Sequence, residues 1–184
     1  MEDIFHLSAQ IAKQLYEKGL EFDIIVGISR GGLLPARLLA DFMGIYRLAF
    51  VRARLYDDNF EKGSHLKIAG PTRRDVTGRR VLLVDDVADS GETLQGVIDR
   101  IQDLGAAEVH SVVLYKKPWN RAKVDEWVEE TDAWIIFPWE RVEVMEKLVL
   151  THGDDAFNFS SLSPSVVRDI KRILELRKRH GIQG

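Results

Sequence analysis

Two aspartates stand side by side in this chain, Asp85 and Asp86, where the apolar run Val81 to Val84 stops, and a third, Asp89, opens the stretch "DSGET". Like charges this close resist joint ionisation unless a cation or a set of hydroxyl donors stabilises them. A strand end bearing two acids therefore suits a vicinal diol, or a magnesium ion bound to one. The residues that follow, Ser90, Gly91, Glu92 and Thr93, fall between strand and helix, where backbone N–H groups lack intrahelical partners and the helix dipole favours an anion. Gly91 removes the Cβ that would hold an oxyanion away, and the Ser90 and Thr93 hydroxyls can donate to it, so the turn suits a phosphate monoester. A phosphate grip beside a diol grip describes a ribose 5-phosphate. Taken alone, each feature has a plainer meaning. The acids are then two solvated carboxylates, although the apolar strand before them argues against it. The turn is then a helix N-terminus capped by Asp89 or Ser90, the commoner outcome for such a stretch.

The elements that must present these residues can be read from hydrophobic period. Ile4, Leu7, Ile11, Ala12 and Leu15 recur at helical spacing before Gly19, which predicts a helix over 4–18. "FDIIVGI" predicts a strand covered on both faces, and the stretch from Pro35 to Gly44 has the start and stop residues of a helix. "YRLAFVRARL" supplies the next strand, completing one parallel crossover unit. "RRVLLVDD" is a buried strand, "GETLQGVIDRIQDLG" an amphipathic helix and "EVHSVVLYKK" a further strand. In such a sheet ligands collect at the carboxyl ends of the strands. The turn Ser29, Arg30, Gly31, Gly32 falls at one of these ends and "DDVADSGET" at another, so the two can line one crevice. Paired glycines let backbone amides approach a diphosphate and Arg30 offers a forked cation, although "SRGG" by itself is only a tight turn before a helix.

Elsewhere the texture varies. Residues 56–77 show no apolar period, and a connection of that length inside a compact domain reads as a functional loop without secondary structure. Four tryptophans fall between Trp119 and Trp139 around an acidic, helix-like piece, which reads as a small appended unit. A helix is expected over 140–150 and a basic one over 166–179, whose apolar stripe (Val166, Val167, Ile170, Ile173, Leu174, Leu176) could dock on the domain or on a neighbouring subunit.

The chain has 184 residues and no cysteine, which excludes disulfides, thiolate chemistry and cysteine-bound zinc, and its five histidines lack metal-ligand spacing. A net charge of −3 argues against a protein whose business is coating nucleic acid. No apolar run is long enough to span a bilayer, and the acidic start "MEDIFHLSAQ" is unlike a signal peptide, so no membrane partner and a cytoplasmic location are expected.

The stretch "VLLVDDVADSGET" resembles the phosphoribosyl pyrophosphate (PRPP) signature of the type I phosphoribosyltransferases, and the resemblance extends over roughly residues 20–140. Its details are similar to the branch acting on 6-oxopurines: xanthine, guanine or hypoxanthine. The resemblance implies an α/β fold, with a twisted, mainly parallel sheet flanked by helices, a small hood over roughly 117–140 and a loop over roughly 56–77 that closes on PRPP. It implies a domain over 1–150, and residues 151–184 remain as a C-terminal helical extension. The reaction it implies is purine base plus PRPP giving nucleoside monophosphate and pyrophosphate in purine salvage, with Mg2+ as cofactor and a homodimer as the favoured assembly.

Residue by residue, the resemblance gives Asp85 and Asp86 to the ribose hydroxyls and magnesium, and Asp89 with Ser90, Gly91, Glu92 and Thr93 to the 5-phosphate. Ser29, Arg30, Gly31 and Gly32 become the pyrophosphate loop, with a cis peptide between Ser29 and Arg30, and Lys67 of "HLKIAG" a second pyrophosphate contact, Tyr56 being a weaker candidate. Asp89 is the acid that distinguishes oxopurine members and would bond the purine N7 and move its proton. Lys117 before Pro118 would meet O6, unless strand alternation turns Lys116 inward instead. Trp134 would stack on the base and the peptide groups of Ile135 read its edge. Trp119, Trp127 and Trp139 are expected as hood packing, and Glu140 either accepts from a 2-amino group or caps the next helix. A sensor of PRPP or purines on the same fold is the alternative; it would need neither Asp89 nor a base-reading hood.

Overall fold

The structure, a computed structural model, describes residues 2–56, 65–153 and 163–181. By its internal contacts the chain divides into two units, 1–132 and 133–184, where the sequence suggested a break near 150.

The first unit is a six-stranded sheet with helices on both faces. Its strands are β1 (Ile24–Ser29), β2 (Leu48–Tyr56), β3 (His65–Ala69), β4 (Arg80–Ala88), β5 (Glu108–Lys116) and β6 (Glu126–Glu130), in the order β3-β2-β1-β4-β5-β6. Every neighbouring pair is parallel except β2 with β3, so the α/β, mainly parallel expectation is met. The helices are α1 (Glu2–Glu17), α2 (Leu33–Met43), the single turn α3 (Arg73–Val76) and α4 (Glu92–Asp103). Apolar side chains alternate across the buried strands. Ile24, Val26 and Ile28 of β1 with Val81 and Leu83 of β4 pack with Leu94, Val97 and Ile101 of α4. Helices α1 and α2 contact each other and the strands β1, β4 and β5, so they cover the opposite face, where Ile11, Leu15 and Leu39 are fully buried.

The order of strands reverses between β1 and β4: the chain leaves β1 for α2 and β2 on one side, and leaves β4 for α4 and β5 on the other. Connections that diverge in this way leave a crevice at the strands' carboxyl ends. Below it, at the amino ends, Asp23 and Arg80 tie the same two strands together. The Arg80 backbone N–H donates to Asp23 Oδ2 at 2.8 Å and the guanidinium Nη2 to Oδ1 at 3.0 Å. The Arg80 hydrogen bonds hold the Asp23 carboxyl down, at about 2.

Two expectations are corrected. The loop expected over 56–77 contains, in its described part, β3 and α3; residues 57–64 lie outside the described residues. Leu66 and Ile68 are half-buried while Lys67 and Ala69 are exposed, a period-two pattern too short to stand out among charges until it pairs with β2. The acidic piece expected as helix-like is β6, an edge strand beside β5. Its docking is tertiary: the Asp125 carboxylate accepts from the Ser111 N–H at 2.8 Å and Lys18 pairs with the buried Glu126.

The second unit holds α5 (Arg141–His152) and α6 (Pro164–Arg179), starting and stopping close to where their periodicity predicts. Met145 and Ile170 are buried between them with Val167 and Leu174 against Val142, Leu148 and Val149, and Arg177 pairs with Glu146 at 2.9 Å. The stripe expected on α6 thus splits: half meets α5, while Val166, Ile173 and Leu176 stay exposed. Among the described residues, no helix is long and apolar enough to cross a membrane.

The Asp23 tie has a pH signature. A carboxyl held low in the fold stabilises it above the ordinary aspartate value of about 4 and loses that contribution as pH falls towards about 2. Asp23→Asn should therefore lower the urea midpoint at neutral pH, and the gap from the unsubstituted protein should close on acidification; a pH-independent gap would exclude charge as the cause.

Candidate functional site

β4 delivers its acids to the crevice in two environments. Asp85 is half-buried and Asp86 is 6% exposed. Each carboxylate accepts from the next backbone N–H: Asp86 N to Asp85 Oδ1 at 3.0 Å and Val87 N to Asp86 Oδ1 at 2.8 Å. Burial pushes the Asp85 carboxyl well above its ordinary value, and the adjacent Asp86 charge pushes it further.

The loop after β1 closes over this pair. The Ser29–Arg30 peptide is cis, as the resemblance implied. A Cβ placed on Gly31 would lie 2.2 Å from Asp86 Oδ2, and one on Gly32 would lie 2.4 Å from the Val84 carbonyl oxygen. Only residues without side chains let the loop come this near, and the two turns meet here.

The turn after β4 is where the plainer reading fails for Asp89. Helix α4 starts at Glu92 behind Gly91, which has φ +89° and no side chain to cap it; the Ser90 hydroxyl oxygen accepts from the Glu92 N–H at 3.4 Å. The Asp89 carboxylate takes a different donor: its Oδ1 accepts from the indole Nε1–H of Trp119 at 2.7 Å. Trp119, expected as hood packing, is 51% exposed and carries this bond. Trp127 and Trp139 do pack, Trp127 beneath the Lys116 ammonium at 3.6 Å and Trp139 stacked on Phe137 at 4.9 Å.

The two lysines now differ. Lys116 pairs with Glu130 at 2.8 Å, whereas Lys117 is 7% exposed with its Nζ 5.6 Å from the Trp119 ring centre. Lys117, Trp119 and Asp89 therefore stand together at the end of β4 and β5. A cavity of about 700 Å3 opens beside them, lined by Ser90, Gly91, Gln95, Leu66, Trp119 and Arg121 among others. Arg121 was missed from sequence; its signal was a guanidinium four residues after Lys117, beyond a proline turn. Thr93 is half-buried in the first turn of α4.

Lys67 lies exposed on β3, at the sheet edge, and the side chain of Tyr56 lies outside the described residues. Trp134, 84% exposed, and half-buried Ile135 belong to the second unit. So does Glu140, whose Oε2 accepts from the Phe137 N–H at 3.2 Å, fastening the turn before α5.

Two adjacent carboxylates are too few to enclose a cation, and no group of three or more ligating side chains occurs among the described residues. The pair does fit magnesium, which keeps several waters and takes most of its remaining oxygens from a phosphorylated substrate. Burial and the adjacent Asp86 charge, which raise the Asp85 carboxyl, are what a bound cation would offset.

A family model described as the phosphoribosyl transferase domain matches residues 1–143. The xanthine-guanine phosphoribosyltransferase of Chromohalobacter salexigens is 35% identical over 142 residues, covering 76% of this chain and 81% of that one. A purine phosphoribosyltransferase structure from Pyrococcus horikoshii superposes with TM-score 0.67 at 35% identity, over 74% of this chain and 88% of the other. The Helicobacter pylori xanthine-guanine-hypoxanthine phosphoribosyltransferase gives TM-score 0.68 at 26% identity, over 83% and 96%.

The acid pair makes the site costly to the fold. Since burial favours the neutral form of Asp85, stability is highest where that carboxyl is protonated and declines as pH rises and it ionises. Asp85→Asn should raise the melting temperature at neutral pH, and the gain should vanish as pH falls to the ordinary aspartate value of about 4. Thermal melts across pH check this; destabilisation at neutral pH would overturn it.

Proposed function

The chain belongs to the phosphoribosyltransferase family and is a pentosyltransferase, and we propose that it transfers the 5-phosphoribosyl group of PRPP to a 6-oxopurine, xanthine, guanine or hypoxanthine, in purine salvage. The observation that carries this reading is the grouping of Asp89, an acceptor, with Lys117, a buried donor, at the head of the phosphate turn. A 6-oxopurine presents O6 and N7 on one edge. A lysine ammonium suits the oxo group, since it has donors only, and a carboxylate suits N7–H. An exocyclic amine at that position would meet the lysine donor to donor. The relatives named for xanthine and guanine favour the same class of base.

In this mechanism the backbone N–H groups of Ser90 to Thr93 hold the 5-phosphate at the N-terminus of α4. Asp85 and Asp86 hold the ribose hydroxyls. Arg30 and Lys67 take the pyrophosphate, with Ser29, Gly31 and Gly32 lending backbone. As the C1–oxygen bond to pyrophosphate breaks and the bond from purine N9 to C1 forms, the N7 proton passes to Asp89. Magnesium held by the substrate and the acid pair would offset the charge of the departing pyrophosphate. Positive character on the ribose ring is stabilised electrostatically, and positioning supplies much of the rest. Trp134 and Ile135 complete the base contacts in this reading, and a homodimer is the proposed assembly.

Incubation with PRPP, magnesium and each of xanthine, guanine, hypoxanthine and adenine should release pyrophosphate with oxopurines and not with adenine. Asp89→Asn should cut kcat by about 100-fold or more, and Lys117→Ala should raise KM for the base. PRPP binding with silence towards every base would replace this reading with a sensor.

A further inference from the structure

We infer that Trp119 is a positioning residue for Asp89, fixing the plane of its carboxylate so that one oxygen is aimed at the base. The inference rests on the role of Asp89 proposed above. Its ground is a register of three hydrogen bonds between two short segments. The Lys117 N–H donates to the Ala88 carbonyl at 3.0 Å, the Trp119 indole N–H to Asp89 Oδ1 at 2.7 Å, and the Arg121 N–H to the Ser90 carbonyl at 3.1 Å. Each residue of 88–90 is therefore bonded by the alternate residues 117, 119 and 121.

The segment that carries Trp119 is itself held. Asn120 N–H donates to the Lys117 carbonyl at 3.0 Å and Asn120 Nδ2 to the Ala122 carbonyl at 2.9 Å. It presses on the phosphate turn so closely that a Cβ on Gly91 would lie 2.5 Å from the Ala122 nitrogen and from Asn120 Oδ1. Apolar burial does not explain the indole's place, because Trp119 is 51% exposed; its polar edge is what is fixed.

The chemistry follows from the donor inventory. An indole N–H only donates, so it can hold Asp89 by one oxygen and cannot itself take the proton that Asp89 receives. An exposed aspartate otherwise samples several rotamers, and reactive groups misplaced by about 1 Å lose on the order of 100-fold in rate. The Lys117 ammonium, 5.6 Å from the same ring, places one indole between the two side chains that address O6 and N7.

Trp119→Phe keeps a ring and removes the donor. With PRPP and the preferred oxopurine it should lower kcat roughly 10- to 100-fold and leave KM for PRPP unchanged. In an Asp89→Ala background the same change should cost nothing more, since its effect runs through that carboxylate. An equal loss in both backgrounds, or no loss in either, would overturn the inference. A second readout needs no turnover: the indole 15N–1H resonance that disappears in Trp119→Phe should shift in Asp89→Ala, and an unmoved resonance would overturn the contact. A shifted resonance in a protein silent towards every base would support the hold on Asp89 while overturning the transferase reading.

Discussion

The close approach of the β1 loop to the β4 acids, at the point where the strand order reverses, is the contact on which the rest of the site depends. Gly31 lies against the Asp86 carboxylate because β1 and β4 are hydrogen-bonded neighbours whose chains leave in opposite directions. Half-buried Asp85 and buried Asp86 then stand together, the first pushed towards its neutral form. A strand end with two acids is a poor way to make a stable sheet and a good way to keep cation and hydroxyl binding energy in reserve. The Asp23–Arg80 tie, on the same pair of strands at the other end, acts against that cost.

A second layer of organisation comes from the segment after β5. Its backbone bonds to the carbonyls on either side of Asp89, so the phosphate turn, the acid and the lysine are arranged by one set of local contacts. Helix α4 begins behind Gly91 with no cap from that residue, and of its first N–H groups that of Glu92 is met by Ser90 Oγ at 3.4 Å. Asp89 was an equal candidate for capping until the fold supplied a different donor, and Trp119, expected in the packing of a hood, supplied it.

What the sequence missed was missed for physical reasons. The edge strands β3 and β6 carry little hydrophobic period of their own: Leu66 and Ile68 in one, Trp127 and Val128 among glutamates in the other. Edge strands are half-solvated and take their identity from a partner, so the local code under-determines them. The choice between Lys116 and Lys117 needed the same information, because alternation says that one turns inward but not which. Glu130 and Trp127 on β6 bind Lys116, while Lys117 is buried with its ammonium 5.6 Å from the Trp119 ring centre.

The sequence by itself determined the buried strands, the long helices and both chemically marked turns. Long apolar runs and adjacent acids are local properties, set by residue type and order, and they survive any arrangement of neighbours. Only the tertiary structure decided that Gly31 meets Asp86, that Lys117 and not Lys116 stands beside Asp89, and that Trp119 bonds that acid. Those facts depend on hydrogen bonds and close approaches between segments some 30 to 55 residues apart, and direction in space, unlike hydrophobic period, is not written along the chain.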